Sequence, residues 1–349
     1  MSDGAPETWA VPQEFAACFD WRLDAGRERL LALYERGKAR QWNAPDRIDW
    51  SQDLDPENPQ LLPPEALPLF GSPLFARLSR RERIEITCQH QAWTVSQFLH
   101  GEQGALICAA KTVQQVPDLD AKLYAATQVV DEARHVEVYQ RLLGKFGIFH
   151  PMTRPLRELL DQVLRDARWD MTYLGMQVVI EGLALAAFAR IRDEAQNPLA
   201  ASVNAYVMED EARHVAFGAL SLREHYPRLT QPERDEREEF LIEACFLMRD
   251  RFDAMDLWES LDLPLRECGE YLRAGRSGTR FAEQLFSRIV PMAKSIGLWG
   301  TRAQRGFEQL GALHFAEVSA EAILNDDEAV ARTLDARRAA LRQGIAGAG

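Results

Sequence analysis

Asp131-Glu132-Ala133-Arg134-His135-Val136 and Asp210-Glu211-Ala212-Arg213-His214-Val215 are the same six residues written twice. Each copy contains a Glu-x-x-His, and each is preceded 30 residues upstream by a further glutamate, Glu102 and Glu181. Glu181, Glu211 and His214 each follow Glu102, Glu132 and His135 by 79 residues, so the whole unit repeats. A single Glu-x-x-His is usually a solvated helix face. Here the duplication and the matched upstream glutamates outweigh that reading. Four carboxylates and two imidazoles form a complete ligand set for two metal ions.

Residues three apart share a helix face, so Glu132 and His135 can reach one ion, as can Glu211 and His214. Midway between Glu102 and Glu132 stands Pro117; midway between Glu181 and Glu211 is Gln196, beside Asn197-Pro198. Two antiparallel helices joined at such a midpoint place both ligands at one height, roughly 20 Å from the turn at ~1.5 Å per residue. Two hairpins packed together bring all six side chains to one level of a four-helix bundle. Oxygen-rich ligation with one imidazole per ion suits iron or manganese better than zinc. Glu181 sits among Val178-Val179-Ile180 and Gly182-Leu183-Ala184, where an unpaired carboxylate is costly. Asp131 and Asp210 each lie one turn before a histidine. Either can take the second N–H of its own helix's imidazole or of the one across the bundle.

Around this unit the chain reads as almost entirely α-helical. From Ser79 onward it is rich in Ala, Leu, Glu and Arg at helical spacing, punctuated by Pro and Gly. Helices are expected over 80–115, 119–146, 155–194 with a break, and 199–225. Others are expected over 231–260, 264–274, 279–296 and 301–341. A short helix is expected at Asp24–Arg40, and the Pro-rich Asp55–Pro73 reads as irregular. The organisation is thus a lead-in over 1–79 packed on the bundle, a four-helix bundle over 80–225 and a helical extension over 226–349.

The 349 residues are 46% hydrophobic and 27% charged, as in soluble globular proteins, and can bury a large core. A net charge of −12 argues against a nucleic-acid or anionic-membrane surface. Met1–Glu7 has neither a basic nor an apolar signal region, and no uncharged apolar run reaches the ~20 residues that span a bilayer. The odd cysteine count (Cys18, Cys88, Cys108, Cys245, Cys268), without a CxxC pair, reads as reduced thiols and a cytoplasmic protein.

On these motifs the chain resembles the ferritin-like di-iron carboxylate superfamily over about 80–225. That superfamily includes multicomponent monooxygenase hydroxylases, ribonucleotide reductase small subunits, arylamine N-oxygenases, acyl-carrier desaturases and ferritins. The resemblance implies the metal ligands Glu102, Glu132, His135, Glu181, Glu211 and His214, with Asp131 and Asp210 bonded to the histidines across the bundle. It implies two iron ions, with Mn/Fe as the alternative pair, and dioxygen as co-substrate. The expected function is oxidation of a small organic substrate by hydroxylation, N-oxygenation or desaturation. No flavin or nicotinamide fingerprint is present, so electrons are expected from a separate donor protein. The extension after 230 is expected to cover a pocket or form a homodimer interface.

No single branch fits. Reductase subunits usually begin their ligand set with Asp, and here it is Glu102. Leu185 stands where hydroxylases often have a threonine. Val207 stands where arylamine N-oxygenases carry an extra histidine ligand. Tyr139, four residues after His135, matches the radical tyrosine of reductase subunits, although a core tyrosine is the plainer reading. A radical-generating subunit and a non-enzymatic iron-handling protein are the alternatives. Among the other residues, His100 is expected to be structural, and Arg134 and Arg213 to pair with acids on neighbouring helices. Gly101, Gly104, Gly182 and Ala105, small residues near the ligands, leave room for oxygen or substrate or permit close helix packing. Phe98, Leu106, Leu185 and Phe217 are candidate pocket walls, with ordinary core the better reading.

Overall fold

Capping residues mark the starts of the long bundle helices at Arg80, Leu119 and Pro198 in the computed structural model. It describes residues 9–20, 28–275 and 285–323, with isolated positions up to 336. The N-terminal residues Met1–Glu7, the Asp24 start of the first expected helix and residues 279–284 of a later one lie outside these.

Helix α4 (Arg80–Gln115) opens on a capping box. Ser79 Oγ accepts from Glu82 N at 3.3 Å, and Glu82 returns a carboxylate to Ser79 N at 2.7 Å. Helix α5 (Leu119–Phe146) begins where Asp118 accepts from Ala121 N, and ends at Gly147 with φ +65°. Helix α9 (Pro198–His225) starts on Asn197, which accepts from Ala200 N, with Pro198 at its first position. Between α5 and α9 run α6 (Arg154–Arg165), α7 (Trp169–Tyr173) and α8 (Glu181–Glu194). The expected break falls at 166–168. A π-helical turn, Leu174–Ile180, joins α7 to α8 immediately before Glu181. Gln177 is the one polar residue in that run, and no local pattern signals the turn.

The hairpins α4–α5 and α8–α9 form the four-helix bundle, with no strand among the described residues. Helix α1 (Glu28–Ala39) lies against α5 and α9, followed by the short α2 (Ala44–Arg47) and α3 (Pro73–Arg77). The single helix expected over 231–260 is two, α10 (Gln231–Arg251) and α11 (Met255–Ser260), divided at Ala254 with φ +51°. Further on come α12 (Leu265–Gly275), α13 (Ile289–Ser295) and α14 (Thr301–Gln309). The long helix expected over 301–341 is interrupted after Gln309, where Gly311 takes φ +70°, and the described residues from 320 onward are helical again.

The main core runs from Leu30 to Ala316 and fills the bundle. A second, smaller core joins Leu67, Ile86, Trp93, Leu257, Trp258 and Leu272. Trp169–Glu194 is long and apolar enough to cross a membrane, yet it is buried as the central helix of the bundle, with a glutamate at its middle.

Candidate metal centre

All six residues of the repeated unit converge, and all are buried. Glu102, Glu132, His135 and Glu211 form one set able to hold an ion, and Glu132, Glu181, Glu211 and His214 form another. Within each set the ligand atoms lie within 4.8 Å of one another. Glu132 and Glu211 belong to both.

The distances show how the shared pair divides itself. His135 Nδ1 lies 3.3 Å from Glu132 Oε2 and 3.0 Å from Glu211 Oε1. His214 Nδ1 lies 3.1 Å from Glu132 Oε1 and 3.3 Å from Glu211 Oε2. Each of these carboxylates thus turns one oxygen to each histidine, as a bridge between two ions requires. Glu102 Oε2 is 3.3 Å from His135 Nδ1 only. Glu132 Oε2, Glu181 Oε2 and His135 Nδ1 are buried without a hydrogen-bond partner. Orphaned acceptors gathered in these two sets fit cations there.

The opposite ring nitrogens settle the question of the aspartates. His135 Nε2 donates to Asp210 Oδ2 at 3.1 Å, and His214 Nε2 to Asp131 Oδ2 at 3.2 Å, both across the bundle. This leaves Nδ1 of both rings free to ligate. Arg134 bonds Asp131 on its own helix and Asp210 across the bundle, whereas Arg213 bonds Asp210 on its own helix. The expectation of pairing between helices therefore holds for Arg134 alone. Both aspartates gain a neutralising guanidinium inside the core.

Three partners escaped the sequence. Trp42 Nε1 donates to Asp210 Oδ2 at 2.8 Å, and Gln41 Nε2 to Asp131 Oδ1 at 2.8 Å. Both follow α1, far away in sequence, and no local pattern marks them. Gln128 donates to Glu132 Oε1 and Glu181 Oε1, each at 3.1 Å. It lies one turn before Glu132, so its placement was readable from helical spacing.

Crowding four carboxylates in a buried volume moves their protons. Burial, then the charge of Glu211, pushes Glu102 and Glu181 well above the usual carboxylate range. Burial also works to raise Glu132, but the His214 and His135 cations hold it below that range. Burial works to lower both imidazoles. The carboxylates around them, Asp210 foremost for His135 and Glu132 for His214, raise them well above an ordinary histidine. Without metal the cluster balances its charge with protons, which two divalent ions would displace.

The remaining candidates fall on either side of the core. Tyr139 is fully buried, donates to Asn204 Oδ1 at 3.2 Å and packs against Phe98 and Phe188. Leu185 and Val207 are fully buried in the main core. His100 Nε2 donates to the His150 carbonyl at 2.9 Å, a structural bond as expected. The small residues divide between the two roles. A Cβ on Gly104 would lie 2.5 Å from Leu160, and one on Gly182 3.0 Å from Ile289, so these serve helix packing. A Cβ on Gly101 would meet nothing within 4 Å, and Gly101, Ala105 and Phe98 line a small cavity bounded by Glu102, Glu181 and Glu211. Its volume, about 30 Å³, suits a water-sized guest.

A family model described as p-aminobenzoate N-oxygenase AurF matches residues 24–297. The chain belongs to that family. It is therefore an oxidoreductase of the ferritin-like di-iron superfamily. Membership holds although Val207 stands where the resemblance places an extra histidine, so the two sets that could hold an ion draw on six residues. Uncharacterized proteins of Mycobacterium tuberculosis and Mycobacterium bovis are each 24% identical over 286 residues, covering 78% of this chain and 83% of the relative. An R2-like ligand-binding oxidase variant with an aerobically reconstituted Mn/Fe cofactor shares the fold. It is 21% identical, with a TM-score of 0.52 over 79% of this chain and 96% of its own.

Proposed function

We propose that the protein is a di-iron oxygenase that oxidises a small organic substrate at the expense of dioxygen, with electrons from a separate donor. Glu102 and His135 would hold one ion and Glu181 and His214 the other, with Glu132 and Glu211 able to serve both. The observation that carries this reading is the paired orientation of Glu132 and Glu211, each presenting one oxygen to each histidine. When bound, the two ions supply the redox chemistry and the site for dioxygen. The chain's own residues orient and exclude. Asp131 and Asp210 fix the ring tautomers, Gln128 holds Glu132 and Glu181, and the core around Tyr139 and Phe188 keeps water out. The small residues at 101 and 105 leave space on the glutamate side, where a substrate can approach.

N-oxygenation is the first reaction to assay, because the matched family is described by it. Protein loaded anaerobically with ferrous ion is given oxygen, a chemical reductant and p-aminobenzoate or other arylamines. The expected result is two irons per chain, with oxygen uptake and an oxygenated product that Glu132→Ala and Glu211→Ala abolish. Loading of two irons in both variants overturns the ligand assignment. Wild-type protein that loads two irons yet takes up no oxygen overturns the oxygenase reading. A Mn/Fe pair, tested by loading both metals together, is the alternative cofactor.

A further inference from the structure

Arg251 is the last residue of α10 and only 8% exposed. Its Nε has no hydrogen-bond partner, and its guanidinium makes no hydrogen bond or ion pair among the described residues. Its contacts are the Phe252 ring, 5.3 Å away, and the long-range charge of Asp256. Asp256 is exposed and itself accepts from Trp93 Nε1 at 3.2 Å. Burial lowers the guanidinium to about 10, which leaves it cationic at neutral pH. A helix C-terminus favours a cation, but an exposed side chain meets that need without desolvation. A buried, unpaired guanidinium costs stability that a bound anion recovers.

Its position gives that anion a place. Arg251 lines the small cavity beside Glu102, Glu181 and Glu211. Together with Phe98, Ala187 and Phe252 it also lines a second cavity of about 470 Å³. This larger cavity opens along the seam between the two hydrophobic cores, its walls including Leu67, Trp93, Ile191 and Leu272. The other cations of that wall are engaged: Arg190 bonds Glu194 at 3.0 Å and Arg249 bonds Asp250 at 2.8 Å. Arg251 thus stands at the junction of a chamber touching the cluster and a chamber large enough for an organic molecule. A cavity of ~150 Å³ already holds benzene.

We infer that Arg251 is a specificity-determining residue that binds the carboxylate of a substrate whose apolar body occupies the larger cavity. The planar fork of arginine matches a carboxylate with two parallel hydrogen bonds. This rests on the oxygenase reading for the word substrate, but binding of the acid itself does not. The test uses metal-loaded protein and two probe pairs, benzoate against benzamide and octanoate against octanamide, followed by calorimetry. Wild type is expected to bind at least one acid about 10-fold or more tighter than its neutral amide, the factor typical of a charged hydrogen bond. Arg251→Met should erase that preference while still loading two metals, and Arg251→Lys should retain part of it. Equal affinity for acid and amide in wild type overturns the inference, whatever the variants do. So does acid binding that survives Arg251→Met but vanishes on metal removal, since the acid then sits on the ions. Metal stoichiometry, read separately, reports on the oxygenase proposal alone.

Discussion

Loading the cluster with metal should release protons, and the structure fixes roughly how many. Four buried groups are raised above their ordinary values in the metal-free protein: Glu102, Glu181, His135 and His214. Each must be deprotonated to ligate. The protonated form is the metal-free one, so acid favours metal loss and binding strengthens as pH rises. One proton displaced is worth about 1.4 kcal/mol per pH unit, so four make the binding of the ion pair up to ~5 kcal/mol weaker at pH 6 than at pH 7. That is a fall of up to ~10⁴-fold in the product of the two binding constants. Anaerobic calorimetry with ferrous or manganous ion, in buffers of differing ionisation enthalpy, counts the protons directly. Fewer than about one proton released per chain, or an affinity flat between pH 6 and 7, would refute the claim that protons balance the empty cluster.

The ligand geometry predicts unequal losses. Glu102→Ala, which removes an acid near His135 only, should leave one ion per chain, whereas Glu132→Ala should leave none at matched metal concentration; plasma emission spectrometry of the dialysed variants decides. Gly104→Ala forces Leu160 aside and should cost about 1–3 kcal/mol in urea unfolding, while Gly101→Ala should be neutral or stabilise by up to ~1 kcal/mol. Tyr139→Phe leaves Asn204 Oδ1 unpaired and should lower stability by about 1–3 kcal/mol with both metals retained. Paramagnetic resonance of wild type after oxygen addition should show no tyrosyl radical, and one lost in that variant would favour the radical-generating alternative.

What could be read from the sequence was what helical periodicity dictates. Glu132/His135 and Glu211/His214 share faces because residues three apart must, and the turn midpoints at Pro117 and Gln196 put Glu102 and Glu181 at the same level. The residues that escaped are those whose role depends on packing over long separations. Gln41 and Trp42 reach the aspartates from 90 and 168 residues away. The π-helical turn before Glu181 lies in a run whose residues are all buried, Gln177 being its single polar one, so helical periodicity does not mark it. Arg251 ends a helix crowded with Arg and Glu, and only burial without a partner separates it from the solvated charges beside it.

The cluster has two unlike sides, and that asymmetry bears on where chemistry can occur. On the histidine side each Nε2 is taken by an aspartate, which is in turn held by arginine, Gln41 or Trp42. A substrate could enter there only by breaking buried charge-assisted bonds, at several kcal/mol each once a charge is left unpaired. On the side of Glu102, Glu181 and Glu211 the wall includes Gly101, Ala105, Ala184 and Phe98, with the unpaired Arg251 beyond them, and no buried ion pair among the described residues closes it. Enlarging the residue at 101 should therefore close the approach without touching a ligand. Gly101→Leu is expected to keep two metals and helical content while losing substrate-dependent oxygen uptake. Uptake at the wild-type rate in that variant would move the substrate to another face of the cluster.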